Sequence, residues 1–195
     1  MGQKAVFKSV CDNLRLLNDL RYKRVGLDAG ILKEIEENTL DLIYTEIEFN
    51  PEILTYQDEE GQNISYISLL LGLYEEAENF VKVSVDKFPE TARQKDDTGR
   101  TIAMLAAQIL SIVTLPKDEM KAKSLASIIS ETIKDVESLS VDGFGGTILD
   151  QLKYYEKKLR MSERMDSSAG ELRKIYISLI DEANNVLSQN NTENV

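Results

Sequence analysis

Histidine is absent from this sequence, so the side chains with which it could do chemistry are carboxylates, lysines and a single cysteine. Ser-His-Asp relays, Cys-His nucleophiles and His-containing zinc motifs all need an imidazole and are thereby excluded. Glu75, Glu76 and Glu78 crowd together soon after Gly72. Acids just after a glycine suit a helix start, where the dipole favours them, and they are read as a solvated face. The loop Asp58-Glu59-Glu60-Gly61 invites a calcium site, but an EF-hand with Gly61 in sixth place needs an acid in first place, where Tyr56 stands. Gly143-Phe144-Gly145-Gly146 is glycine-rich like a phosphate loop, yet no Lys-Ser/Thr follows and no strand precedes it, so it is read as a turn. Cys11 has apolar neighbours in helical register and belongs to a core rather than to a reaction. Tyr154-Tyr155, with Lys153, Lys157, Lys158 and Arg160, is the one locally basic, aromatic patch. It would suit phosphate or an acidic peptide, but surface lysines over a packed tyrosine is the better reading. No catalytic residue, metal or cofactor is expected.

The composition bounds the remaining classes. The chain has 195 residues, 23 basic and 34 acidic, for a net charge of −11. Its basic residues are scattered among acidic ones, which disfavours nucleic acid, whose phosphates demand clustered Lys and Arg. A protein partner with a basic surface is the more natural complement. One cysteine permits no intrachain disulfide and fits a reducing, cytoplasmic setting. No stretch approaches the roughly 20 apolar residues of a membrane span, and the N-terminus lacks a signal peptide's pattern.

The elements that must position these residues are helices. Val6, Val10, Leu14 and Leu17 recur at three- and four-residue spacing and predict a helix over roughly 4–23. After Gly26 and Gly30, the residues Ile31, Ile35, Leu42, Ile43 and Ile47 predict a second helix that stops before Pro51. From there the chain repeats itself. NPEILTYQDEEGQNIS (50–65) aligns with FPETARQKDDTGRTIA (88–103) without a gap at an offset of 38 residues, pairing Pro51 with Pro89, Asp58 with Asp96, Gly61 with Gly99 and Ile64 with Ile102. A weaker third copy lies at Gly145 to Leu149, after a helix carrying Leu125, Ile129, Ile133 and Val136. A unit of helix, polar turn and helix cannot bury its apolar stripe alone and stacks on its neighbours. The glycines supply the positive φ that reverses the chain. Leu172, Ile175, Tyr176, Leu179, Ile180, Ala183, Val186 and Leu187 form one face of a final helix, with Ser168 and Glu171 as a capping box at its start.

DDTGRTIAMLAA (96–107) resembles the core of an ankyrin repeat, through Asp96, Gly99, Thr101, Ala106 and Ala107. The first copy keeps Asp58, Gly61 and Gly72, and the third keeps Gly145, Thr147 and Leu149. The family's Pro-Leu-His is Ile102-Ala103-Met104 here, and the spacings exceed the family's roughly 33 residues. The likeness implies an all-α, ankyrin-like α-solenoid with helical caps: a cap over 1–27, about three degenerate repeats over 28–160, a loop over 161–170, a capping helix over 171–188 and a fraying tail over 189–195. It also implies a protein-interaction module rather than an enzyme, and some bacteria living inside eukaryotic cells export ankyrin-like proteins that act in the host cytosol. Recognition is then expected at the turn tips, Tyr56, Gln57, Glu59 and Glu60 in one and Gln94, Lys95, Asp97 and Thr98 in the other. The alternatives are an oligomerising protein that pairs through its C-terminal helix stripe, and a carboxylate-dependent enzyme with converging acids in a pocket.

Overall fold

The computed structural model describes residues 2–23, 28–134, 139, 146–162 and 167–193. Among these the chain is all-helical, with eight α-helices and no strand. Gly26, Val136, Gly143, Phe144 and Gly145, which carry parts of the predicted pattern, lie outside the described residues. The chain divides into two compact units, 1–80 and 81–195.

In the first unit, α1 (Gln3–Tyr22) buries Val6, Val10, Leu14 and Leu17, the four residues whose spacing predicted it, together with Phe7 and Cys11. The second helix, α2 (Ala29–Phe49), starts at Asp28, whose carboxylate accepts the Gly30 N–H, and stops ahead of Pro51. Ser9 of α1 donates to Glu46, while Arg21 donates to Glu36, so the two helices run antiparallel. Only part of the predicted α2 face reaches the core. Ile43 and Ile47 are buried, whereas Ile31 and Leu42 are 50% and 57% exposed. A 3-10 turn, Pro51–Thr55, and then α3 (Ile64–Leu70) and the first half of α4 (Tyr74–Lys87) close the core with Ile53, Leu54, Ile64, Ile67, Leu73 and Phe80.

The second unit begins in α4 and continues through the 3-10 turn Pro89–Arg93, α5 (Ile102–Leu110), α6 (Glu119–Thr132), α7 (Ile148–Ser162) and α8 (Ser167–Glu193). α5 packs on α6 and α7, and α8 packs on α7 and α6. The Leu115 N–H donates to Ser168 Oγ, and Ser130 Oγ donates to Glu182. These two bonds span almost the same sequence separation, so α6 and α8 run parallel. Tyr176 of α8 is fully buried and donates its hydroxyl to the Ala107 carbonyl of α5 at 2.5 Å.

Two predicted boundaries move. α8 is described from Ser167, inside the expected 161–170 loop, so Ser168 lies within the helix rather than ahead of it. Its hydroxyl already holds the Leu115 amide, and Glu171 pairs with Lys174. At the other end the helix extends to Glu193, beyond the expected end at 188. The segment contains no Gly or Pro to end it, so helical hydrogen bonding propagates past the last buried side chain.

The two aligned turns share one hydrogen-bond plan. Asp58 N–H donates to Gln62 O and Gly61 N–H to Asp58 O; 38 residues on, Asp96 N–H donates to Arg100 O and Gly99 N–H to Asp96 O. In each, the aspartate Oδ1 accepts two further amides, from Glu60 and Gln62 in the first and from Thr98 and Arg100 in the second. Gly61 and Gly99 take φ of 74° and 81°, a region that penalises any Cβ. The next helix is then capped by Asn63, which accepts from Tyr66 N–H, or by Thr101, which accepts from Met104 N–H. At the third copy, Thr147 accepts from the Asp150 amide and Asp150 accepts from the Thr147 amide, a reciprocal cap for α7. Gly99→Ala is expected to lower the unfolding free energy by about 1–2 kcal/mol, with Gly99→Asn milder, in urea denaturation. An unchanged Gly99→Ala variant would refute the left-handed turn.

Candidate functional site

The first turn and α1 enclose a cleft of about 420 Å³ in the first unit. Four of the predicted turn-tip residues line it. Tyr56 is half-buried and lays its ring against Phe7, with centroids 4.8 Å apart, while Gln57 donates to the Gly61 carbonyl. Glu59 and Glu60 are exposed at the rim, Glu59 3.9 Å from Lys4 and Glu60 accepting from Gln62. The facing wall is α1, which contributes Lys4, Lys8 and Arg15. Lys8 and Arg15 both reach Asp12, at 2.5 and 3.1 Å, and Lys8 is the main reason that the Asp12 carboxyl is held below its usual range. The cleft is thus bipolar, acidic along the turn and basic along the helix, over an apolar floor of Phe7, Cys11 and Ile67.

Cys11 is 3% exposed in this floor. Burial pushes its thiol up to about 12, and Arg15 offsets this only in part, so the thiolate is scarcely populated at neutral pH. No group of three or more Cys, Asp and Glu among the described residues is placed to hold a metal ion.

The other four predicted residues lie on the second turn, in the other unit. Gln94 and Lys95 are half-buried, and Asp97 and Thr98 are exposed. Here the neighbouring Asp96 carries the architecture: its side chain is 2% exposed and accepts from Thr98 Oγ1 at 2.7 Å and Arg100 Nη2 at 3.0 Å. The Asp58 and Asp96 alignment was the sequence signal for these anchoring roles. Both tips therefore combine a hydrogen-bonded backbone with exposed side chains at Glu59, Glu60, Asp97 and Thr98, while Tyr56, Gln57, Gln94 and Lys95 are half-buried.

No family model, curated protein or solved structure matches this chain. The chemistry of the site has to come from its own residues. No described helix is long and apolar enough to cross a membrane.

One ionic site escaped the sequence reading altogether. Glu76, expected on a solvated face, is 4% exposed. Its Oε1 lies 2.9 Å from Arg21 Nη2, and Arg21 Nε lies 2.6 Å from Glu36. Burial opposes the charge on Arg21, but the hydrogen bonds that it donates to Glu76 and Glu36 outweigh it and raise its pKa above the ordinary arginine value. Nearby, Tyr44 is held un-ionised mainly by burial, with Asn79 bonded to its hydroxyl at 3.2 Å. The arginine lies 55 residues before Glu76, which is why local spacing carried no sign of the pair.

The aromatic, basic patch on α7 divides. Tyr155 is half-buried between Tyr154 and Tyr176, with centroids 5.3 and 5.9 Å away, whereas Tyr154 is 63% exposed. Lys153, Lys157 and Lys158 are exposed around the packed ring.

Proposed function

We propose that this chain is an ankyrin-like helical repeat module that binds a partner protein through its turn tips and the helix faces beside them. The observation that carries this reading is the recurrence of one turn plan at Asp58 and Asp96, with acids left exposed at Glu59, Glu60 and Asp97. An ordered backbone presents those side chains, so binding costs their rotamer freedom but need not order the main chain. The cleft beside the first turn adds an apolar floor that a partner side chain can fill, and the exposed acids favour a basic partner surface. Pairing of two copies through the C-terminal stripe has less support, because Leu172, Tyr176, Leu179 and Ala183 are all at most 4% exposed within their own unit.

The test is affinity capture with the purified chain and with a Glu59→Lys/Asp97→Lys variant, checked for folding by circular dichroism. Both positions are exposed, so the variant is expected to fold. The wild type retains a protein that the variant loses, with affinity reduced about tenfold or more. Equal capture by both proteins would place the binding surface elsewhere.

A further inference from the structure

α2 carries two apolar lines, and only one of them is used inside its unit. Thr39, Ile43 and Ile47 face the core and are at most 6% exposed. The second line runs through the apolar Ile31, Ile35, Leu42 and Phe49 with the polar Asn38 and Thr45 interspersed, separated alternately by four and three residues. At 3.6 residues per turn these six positions fall within an arc of about 80° and extend about 27 Å along the helix. Alternating spacing of this kind is the seam of a two-helix coiled-coil contact. Ile31, Leu42 and Phe49 on it are 50%, 57% and 78% exposed, which is unusual for side chains that gain so much by leaving water.

The flanks of the seam decide what can cover it. On the solvent side stand Glu34, Asp41 and Glu48, each seven residues from the next, all exposed and none with an ion-pair partner among the described residues. On the other side Thr39 is buried and Glu46 is tied to Ser9 of α1. α2 holds six acids and a single lysine, Lys33, which lies away from the seam and 3.6 Å from Glu37. A second copy laid on this face would set acid against acid. We infer that this face of α2 docks a basic amphipathic helix of another protein, one with apolar residues at coiled-coil spacing and Lys or Arg at the flanking positions opposite Glu34, Asp41 and Glu48. This surface is separate from the turn tips, and the inference does not depend on them.

The probe is a synthetic amphipathic helix of three heptads, with Leu at both seam positions and Lys at both flanking positions, and a twin with Glu in place of Lys. Fluorescence anisotropy with the full chain should show saturable binding of the Lys peptide and at least tenfold weaker binding of the Glu peptide. Leu42→Ser/Phe49→Ser removes only exposed side chains and should weaken the Lys peptide about tenfold, at unchanged helicity. Glu34→Lys/Asp41→Lys/Glu48→Lys should reverse the preference between the peptides. Binding of the Lys peptide that neither variant alters would be diffuse attraction to an acidic protein and would overturn the proposal, as would no binding. A wild-type dimer in sedimentation that Leu42→Ser/Phe49→Ser abolishes would assign the seam to a second copy instead and overturn it equally.

Discussion

Arg21→Met is expected to lower the unfolding free energy by about 3–5 kcal/mol. The reason is the company that Arg21 keeps. Its guanidinium is the cation between Glu36 at 2.6 Å and Glu76 at 2.9 Å, and the Glu76 side chain is only 5% exposed. One carboxylate oxygen of Glu76, Oε2, has no hydrogen-bond partner among the described residues, so the pair with Arg21 is what offsets its desolvation. Methionine preserves most of the packing of the arginine stem but leaves a buried carboxylate with a second carboxylate beside it. Removing the acid as well, in Arg21→Met/Glu76→Met, should recover most of the loss, because two apolar side chains of matching size replace a buried pair at little net change. Urea denaturation followed by circular dichroism measures both. A loss below about 1 kcal/mol in the single variant would mean that the pair behaves as an ordinary surface salt bridge.

The second large effect is expected at Tyr176. This side chain has no solvent exposure, packs against Tyr155 and bonds Ala107. Tyr176→Ala opens a cavity between α8 and its neighbours and should cost about 3–5 kcal/mol. Tyr176→Phe keeps the ring and loses only the hydroxyl. The Ala107 carbonyl still accepts the Ser111 N–H of its own helix at 3.2 Å, so no acceptor is orphaned and the cost should stay near 1 kcal/mol. Burial raises the pKa of this phenol above its ordinary value, so its hydroxyl stays protonated to higher pH than that of a solvated tyrosine. Comparable losses in the two variants would show that the hydrogen bond, not the packing, holds α8 to α5.

What the sequence made legible was local or periodic. The α1 face follows directly from four apolar residues, and the turn plan from the pairing of Asp58 with Asp96 and Gly61 with Gly99. On α2, periodicity announced a helix but merged two stripes that differ by about one residue's rotation. Ile43 and Ile47 go inward, while Ile31 and Leu42 stay in water. Which stripe is buried depends on where α1 packs, and no window along α2 contains that information. Glu76 failed for the same reason. An acid in the first turn of a helix looks the same whether it meets water or an arginine from another helix. Ser168 resembled an N-cap by spacing, yet it serves the Leu115 amide from a distant loop. The four residues of the second tip were found by alignment with the first, but Asp96, which holds that tip in place, is the buried member of the turn.

We propose that partner recognition occurs at the turn tips. The most direct measurement is site-specific photo-crosslinking with a benzophenone amino acid placed singly at Glu59, Asp97 and, as an exposed control on α7, Tyr154. Adducts to a protein partner from Glu59 or Asp97 and none from Tyr154 are the predicted result. Adducts from Tyr154 with none from either tip would contradict it.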